Sequence, residues 1–159
     1  MKITILAVGK VKEKFYSQAA AEYIKRLSRY CRLDVIEVAD EKTPDGASDT
    51  VNRKIKDKEG ERLLSHIKDG MYVIALAIEG RQRSSEELAD RLAELGLRGD
   101  SSLVFVIGGS LGLSESVMAR ADESLSFSRM TFPHQLMRVI LLEQVYRGFR
   151  IMHGEPYHK

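Results

Sequence analysis

Leu103-Val104-Phe105-Val106-Ile107, followed at once by Gly108-Gly109-Ser110-Leu111-Gly112, is the stretch on which the fold turns. Consecutive apolar residues with no polar alternation read as a strand buried on both faces. Strands of that kind belong to parallel sheets, where helices cover each side. The glycines that follow suit a tight turn at the strand's carboxyl end, and equally a backbone that lets a ligand come close.

Working outward, the same grammar repeats. Residues 71–78, Met71 to Ile78, form another strand without alternation, and residues 84–95 a helix. Ser84 or Ser85 caps that helix, with Glu86 and Glu87 in its favourable first turn. Residues 2–8 read as a strand with both faces apolar, and residues 33–38 as a further strand. Between these lies a helix over residues 13–30, with Phe15, Ala19, Tyr23, Leu27 and Tyr30 on one face. Thr43-Pro44-Asp45-Gly46 marks a turn. Residues 50–68 predict a highly charged helix ended by Gly70, its Lys54, Lys56, Asp57, Lys58, Glu59 and Glu61 forming a solvated face. Downstream come a short helix, Glu115 to Arg120, a strand near Leu125–Ser128, and a last helix from Pro133 to about Gly148. Strands alternating with helices predict an α/β fold: a mainly parallel sheet with helices on both faces, in a single domain over residues 1–159.

In the last helix, Leu136, Val139, Ile140, Leu141, Leu142, Val145, Tyr146 and Phe149 point almost all round the axis. A helix apolar all round is buried on several sides, and in so small a chain one side suits a second subunit. A homodimer is therefore expected.

Composition excludes several classes. Apolar residues are 43% and charged residues 30%, the balance of an ordinary globular protein. No apolar run reaches the roughly 18 residues of a membrane span, and residues 1–9 are too short and strand-like for a signal peptide. A cytoplasmic location is the default expectation. Cys31 stands alone, so no intrachain disulfide forms, and it reads as inert packing. With no CxxC and no HExxH, a metal site is not expected. Charge is uneven: residues 129–159 carry five basic and two acidic groups, +3, against a whole-chain +2. That places positive field near the C-terminal segment and suggests an anionic partner there, although a few solvated arginines at a chain end explain it as well.

Three strand ends are candidate ligand contacts: Leu76 to Gly80, Gly108 to Gly112, and the polar, aromatic stretch Phe127-Ser128-Arg129-Met130-Thr131-Phe132-Pro133-His134 that opens the last helix. Converging, they would form a pocket for a nucleotide-like ligand. The glycine pattern is neither GxGxxG nor a P-loop, and no GxSxG or acid pair supplies a nucleophile or base. That absence fits methyl transfer, in which the protein mainly supplies alignment.

Phe105 to Gly112, Leu125 to Arg138, Glu143 to Arg147, the ending Gly154-Glu155-Pro156-Tyr157-His158-Lys159 and the opening Met1–Lys10 together resemble one family over the whole chain. It is the RlmH family of SPOUT-class methyltransferases, which act on N3 of a pseudouridine in large-subunit ribosomal RNA. The resemblance implies an α/β-knot fold with a C-terminal trefoil knot, which the general avoidance of knots would otherwise argue against. It also implies a homodimer and S-adenosylmethionine as cofactor. Leu76, Gly108, Phe127, Ser128, Arg129, Met130, Thr131 and Phe132 would bind it. The implied partner is large-subunit ribosomal RNA within the assembled ribosome. N3 of the base must lose its proton on transfer, so His158, Tyr157 and Arg138 become candidate catalytic groups, and Arg147, Arg150 and Lys159 candidate RNA contacts. Arg81 stands where lysine is more usual in the family. Related readings are a SPOUT enzyme acting on another RNA, and a ribosome-binding factor without chemistry.

Overall fold

The computed structural model describes residues 1–159. Its strands are β1 (Lys2–Val8), β2 (Arg32–Val38), β3 (Tyr72–Gln82), β4 (Ser102–Ile107) and β5 (Glu123–Ser126). They form one sheet in the order β2-β1-β4-β3-β5, every neighbouring pair parallel. The helices are α1 (Lys14–Leu27), α2 (Asp49–Leu64), α3 (Ser85–Leu97), α4 (Glu115–Arg120) and α5 (His134–Met152). The expected α/β architecture stands.

Side chains alternate across the strands, and each face has its own core. Ile3, Ile5, Leu103 and Phe105 pack with Leu27 of α1, Leu92 of α3 and Leu141, Val145 and Phe149 of α5. On the other face, Leu6, Val8, Val104 and Val106 meet Leu63 of α2 and Val117 of α4. Cys31 packs against the first core, and burial pushes its thiol up to about 11, which keeps it protonated and inert.

Several boundaries depart from expectation for identifiable reasons. α1 stops at Leu27, and Phe15, placed on its apolar face, is 61% exposed, while Ala20 takes the buried position. α2 ends at Leu64, before the turn that Gly70 completes. α5 runs through Gly148 to Met152, because Gly148 packs closely against Leu92 and Ala89 of α3 and does not cap the helix. The solvated face of α2 is broken by Glu59, only 4% exposed, whose carboxylate accepts the Glu41 N–H at 3.0 Å.

The largest departure positions the site. β3 does not end near Ile78. It bulges, Leu76 and Arg81 both pairing with Leu125 of β5, so that the intervening residues leave the ladder. A side chain at Gly80 would meet the Leu125 backbone at 2.9 Å, so only glycine lets the strand resume there.

Candidate active site at the carboxyl ends of the strands

The three candidate segments converge. Leu76 and the bulge residues Ala77, Ile78 and Glu79, the glycine loop after β4, and the loop after β5 line one cavity of about 420 Å³. Open parallel sheets bind ligands beyond their strands' carboxyl ends, and the size suits a cofactor. Of the residues predicted to hold a cofactor, Leu76, Gly108, Phe127, Ser128, Met130, Thr131 and Phe132 line it. Arg129 is exposed and is not among the lining residues.

Local chemistry explains the loops. A side chain on Gly108 would lie 2.8 Å from the Gly112 carbonyl carbon, and Gly112 has φ of 87°. The glycine loop is thus folded back on itself too closely for any other residue. After β5, Ser128 Oγ accepts the Met130 N–H at 2.9 Å, and the Ser126 hydroxyl donates to the Ser128 carbonyl at 3.1 Å. Two serines therefore shape the loop by local side-chain bonds. Leu76, Ile107, Leu113, Leu125 and Phe127 give the cavity apolar walls, while Lys56 and Glu79 add one charge of each sign.

Two further groups here lie outside the set predicted to hold the cofactor, one of them within a candidate stretch. His134, the first residue of α5, lines the cavity; its Nδ1 is buried and has no hydrogen-bond partner. Burial, then the nearby Arg138 and Lys12 charges, hold its pKa below the usual range, so it is neutral at pH 7. Its only sequence signal was its place at the end of the aromatic stretch. Glu59 is the other group. Its carboxylate lies where a side chain on Gly109 would stand, at 3.2 Å, under the glycine loop, and burial raises its pKa.

The predicted catalytic and RNA-contacting groups lie elsewhere. Arg138 is 3% exposed; it donates to Glu37 at 2.5 Å and to the Gly9 carbonyl at 3.1 Å, so it ties α5 to β1 and β2. The tail folds back over α5. The Tyr157 hydroxyl donates to Glu143 at 3.0 Å, its ring lies edge-on to Tyr146, and the Arg147 guanidinium stacks 4.7 Å from its centre. Burial, then the Glu143 bond, push the Tyr157 phenol up to about 12. Arg147 donates to Glu143 at 2.5 Å and lies 3.2 Å from His158 Nδ1, while His158 Nε2 is 2.6 Å from Glu86. Arginine only donates, so Nδ1 accepts and Nε2 carries the proton toward Glu86. Arg150 holds Glu155, Tyr30 and the Pro156 carbonyl, and Lys159 is exposed. None of Arg138, Tyr157 and His158 lines the cavity of its own chain.

The sequence that builds this glycine loop, serine-shaped loop and β-bulge at the carboxyl edge of a parallel sheet is matched by a known family. The family model described as predicted SPOUT methyltransferase matches residues 1–158, and the chain belongs to that family. Within it, the chain is 63% identical to ribosomal RNA large subunit methyltransferase H of Bifidobacterium adolescentis, over 100% of both chains. The proteins of that name from Bifidobacterium animalis and Clostridium kluyveri are 65% and 60% identical, again over 100% of both chains. A solved structure from Haemophilus influenzae, described as a probable methylase family protein, superposes with a TM-score of 0.52 at 11% identity. The match covers 96% of this chain and 66% of that one, and carries the likeness of fold alone.

Proposed function

We propose that this protein transfers a methyl group from S-adenosylmethionine to N3 of a pseudouridine in large-subunit ribosomal RNA, within the assembled ribosome. One observation carries the reading: a single cavity gathers Leu76, Gly108 and the loop from Phe127 to Phe132, in a chain that matches large-subunit methyltransferases from end to end. The residues present fit the cofactor. Leu76, Leu125 and Phe127 offer an apolar seat for adenine, the backbone of the two loops offers polar groups for its edge, and Lys56 and Glu79 suit a carboxylate and an ammonium group. When bound, the sulfonium supplies an electrophilic methyl group, so the protein's work is alignment and water exclusion. The return of the chain from β5, at one edge of the sheet, to α5 beside β1 supports the threaded knot of the family.

The acceptor nitrogen must lose a proton. Tyr157, protonated at neutral pH, suits a hydrogen-bond donor to the base and not a proton acceptor. Because the tail lies away from its own cavity, the reading places it at the cavity of a partner subunit in a homodimer. Half-buried Leu136, Val139 and Ile140 of α5 and the exposed Phe15 of α1 supply apolar surface for that contact. No helix is long and apolar enough to cross a membrane, which accords with work on cytoplasmic ribosomes.

The test is transfer of labelled methyl from S-adenosylmethionine to ribosomes lacking the modification, with mass mapping of the product. Label on N3 of a large-subunit pseudouridine is expected. Cofactor binding without label there redirects the search to other RNAs, and no cofactor binding favours a ribosome-binding factor without chemistry. Mixing a tail-deleted subunit with a cavity-mutated one restores activity if the tail acts across the dimer.

A further inference from the structure

Of the C-terminal groups expected to meet RNA, Arg147 holds Glu143 and Arg150 holds Glu155, while Lys159 is exposed and in no ion pair. A cluster of cations outside any ion pair lies at the other end of the chain. Lys10, Lys12 and Lys14 follow β1, all exposed, and none is in an ion pair, whereas the lysine at the start of β1, Lys2, pairs with Asp34. We propose that this lysine loop is the surface that grips the phosphate backbone of the substrate RNA, an assignment that rests on the RNA reading above.

Three observations support it. The loop is rigid: Gln135 of α5 accepts the Lys12 and Glu13 N–H groups at 2.9 and 3.2 Å, and Glu37 accepts the Val11 N–H at 3.2 Å. It stands beside the cavity, for the His134 ring that lines the cavity is 3.4 Å from the side-chain position of Gly9, and the Lys12 charge is felt at that ring. Its three lysines outnumber the two nearby acids that are outside ion pairs, Glu13 and Asp40. Glu13 is the only acid within the loop, Glu37 is taken by Arg138, and Asp40, which also faces His134, forms no ion pair. In addition, α1 has Glu13 at its N-cap but opens on Lys14 with no acid in its first turn, where α2 and α4 place one and α3 places two; lysine there opposes the helix dipole. Flexible ammonium groups on a fixed loop suit phosphates, which position a nucleic acid without reading its sequence.

The test compares wild-type protein with K10E/K12E, with K10Q/K12Q, and with K25E, a reversal at an exposed lysine near the far end of α1. The probe is a fluorescein-labelled RNA hairpin, titrated over a range of salt. The loop variants are expected to bind about 10-fold or more weakly at low salt, and to lower the slope of log K against log salt by about 2. K25E and S-adenosylmethionine affinity are expected to be unchanged. An unchanged slope in the loop variants, or an equal loss in K25E, overturns the assignment. The slope is read without methyl transfer, so a wild-type protein that binds the hairpin through these lysines yet modifies no pseudouridine would sink the proposed reaction and leave the loop's role intact.

Discussion

The carboxyl edge of the sheet and the C-terminal tail differ in how far their charged groups are paired. At the edge, the cavity is lined largely by backbone and apolar side chains, His134 has an orphan nitrogen, and the neighbouring lysines are unpaired. In the tail, Glu143 alone receives Tyr157, Arg147 and Gln144, Arg150 holds Glu155, and His158 has both ring nitrogens engaged, leaving the buried Nε atoms of Arg147 and Arg150 as the groups without a partner. The first region is arranged to receive something. The second is arranged to hold itself, and acts on a substrate only by exchanging one of these partners for another. A satisfied group offers little until its bond is replaced, whereas an unsatisfied buried one costs free energy until it is filled.

The contrast breaks most sharply at Gly108. Gly108→Val forces a side chain into the Gly112 backbone, and S-adenosylmethionine affinity is expected to fall about 100-fold or more by calorimetry, since displacements near 1 Å carry effects of that size. Retained binding would mean that the glycine loop does not shape the cavity. Next is deletion of Tyr157–Lys159. It should leave cofactor affinity nearly unchanged while methyl transfer to ribosomes disappears; full activity would remove the tail from the mechanism, and loss of both functions would merge the two regions into one.

Arg138→Met sharpens the comparison, because Arg138 lines no part of its own chain's cavity and ties α5 to the strands beneath. Loss of its charged hydrogen bonds to Glu37 and Gly9 is expected to cost about 2 kcal/mol, read from the denaturant midpoint. The smallest effect concerns Glu59. Its folded-state pKa is raised, so the folded protein binds the proton more tightly than the unfolded chain. Stability from this group is present below the unfolded carboxylate range and is lost as pH rises through the folded value. Glu59→Gln should remove that part of the decline, and matching stability–pH curves for the two proteins would contradict the assignment.

Most of the fold was legible because parallel strands announce themselves. β1 and the short α4 were read with both bounds correct, since apolar runs and an Asx- or Ser-type cap are local signals. The β3 bulge was not legible: Leu76 to Gly80 ends a strand by every local rule, and only the Leu125 backbone of a later strand makes it resume. Gly148 looked like a stop for the same reason, because its packing against Leu92 lies outside its own segment. In the site, the cavity-lining residues came from a string of motifs. The roles of the arginines did not, because charge counted along the chain cannot say which cations already have partners. Glu59 was misread as surface because a mixed-sign helix hides a single buried carboxylate among solvated neighbours.

The bond from Arg138 to the carbonyl of Gly9 spans nearly the whole chain. It joins the end of β1 to α5, and α5 brings His134 and Met137 to the cavity. During translation, therefore, β1 leaves the ribosome long before the groups that fix its carboxyl end exist. The long-range contacts close late and slowly, as contacts of high sequence separation do. A nascent or truncated chain cannot assemble half of this cavity, so the capacity to bind a ligand there arrives only with the final helix.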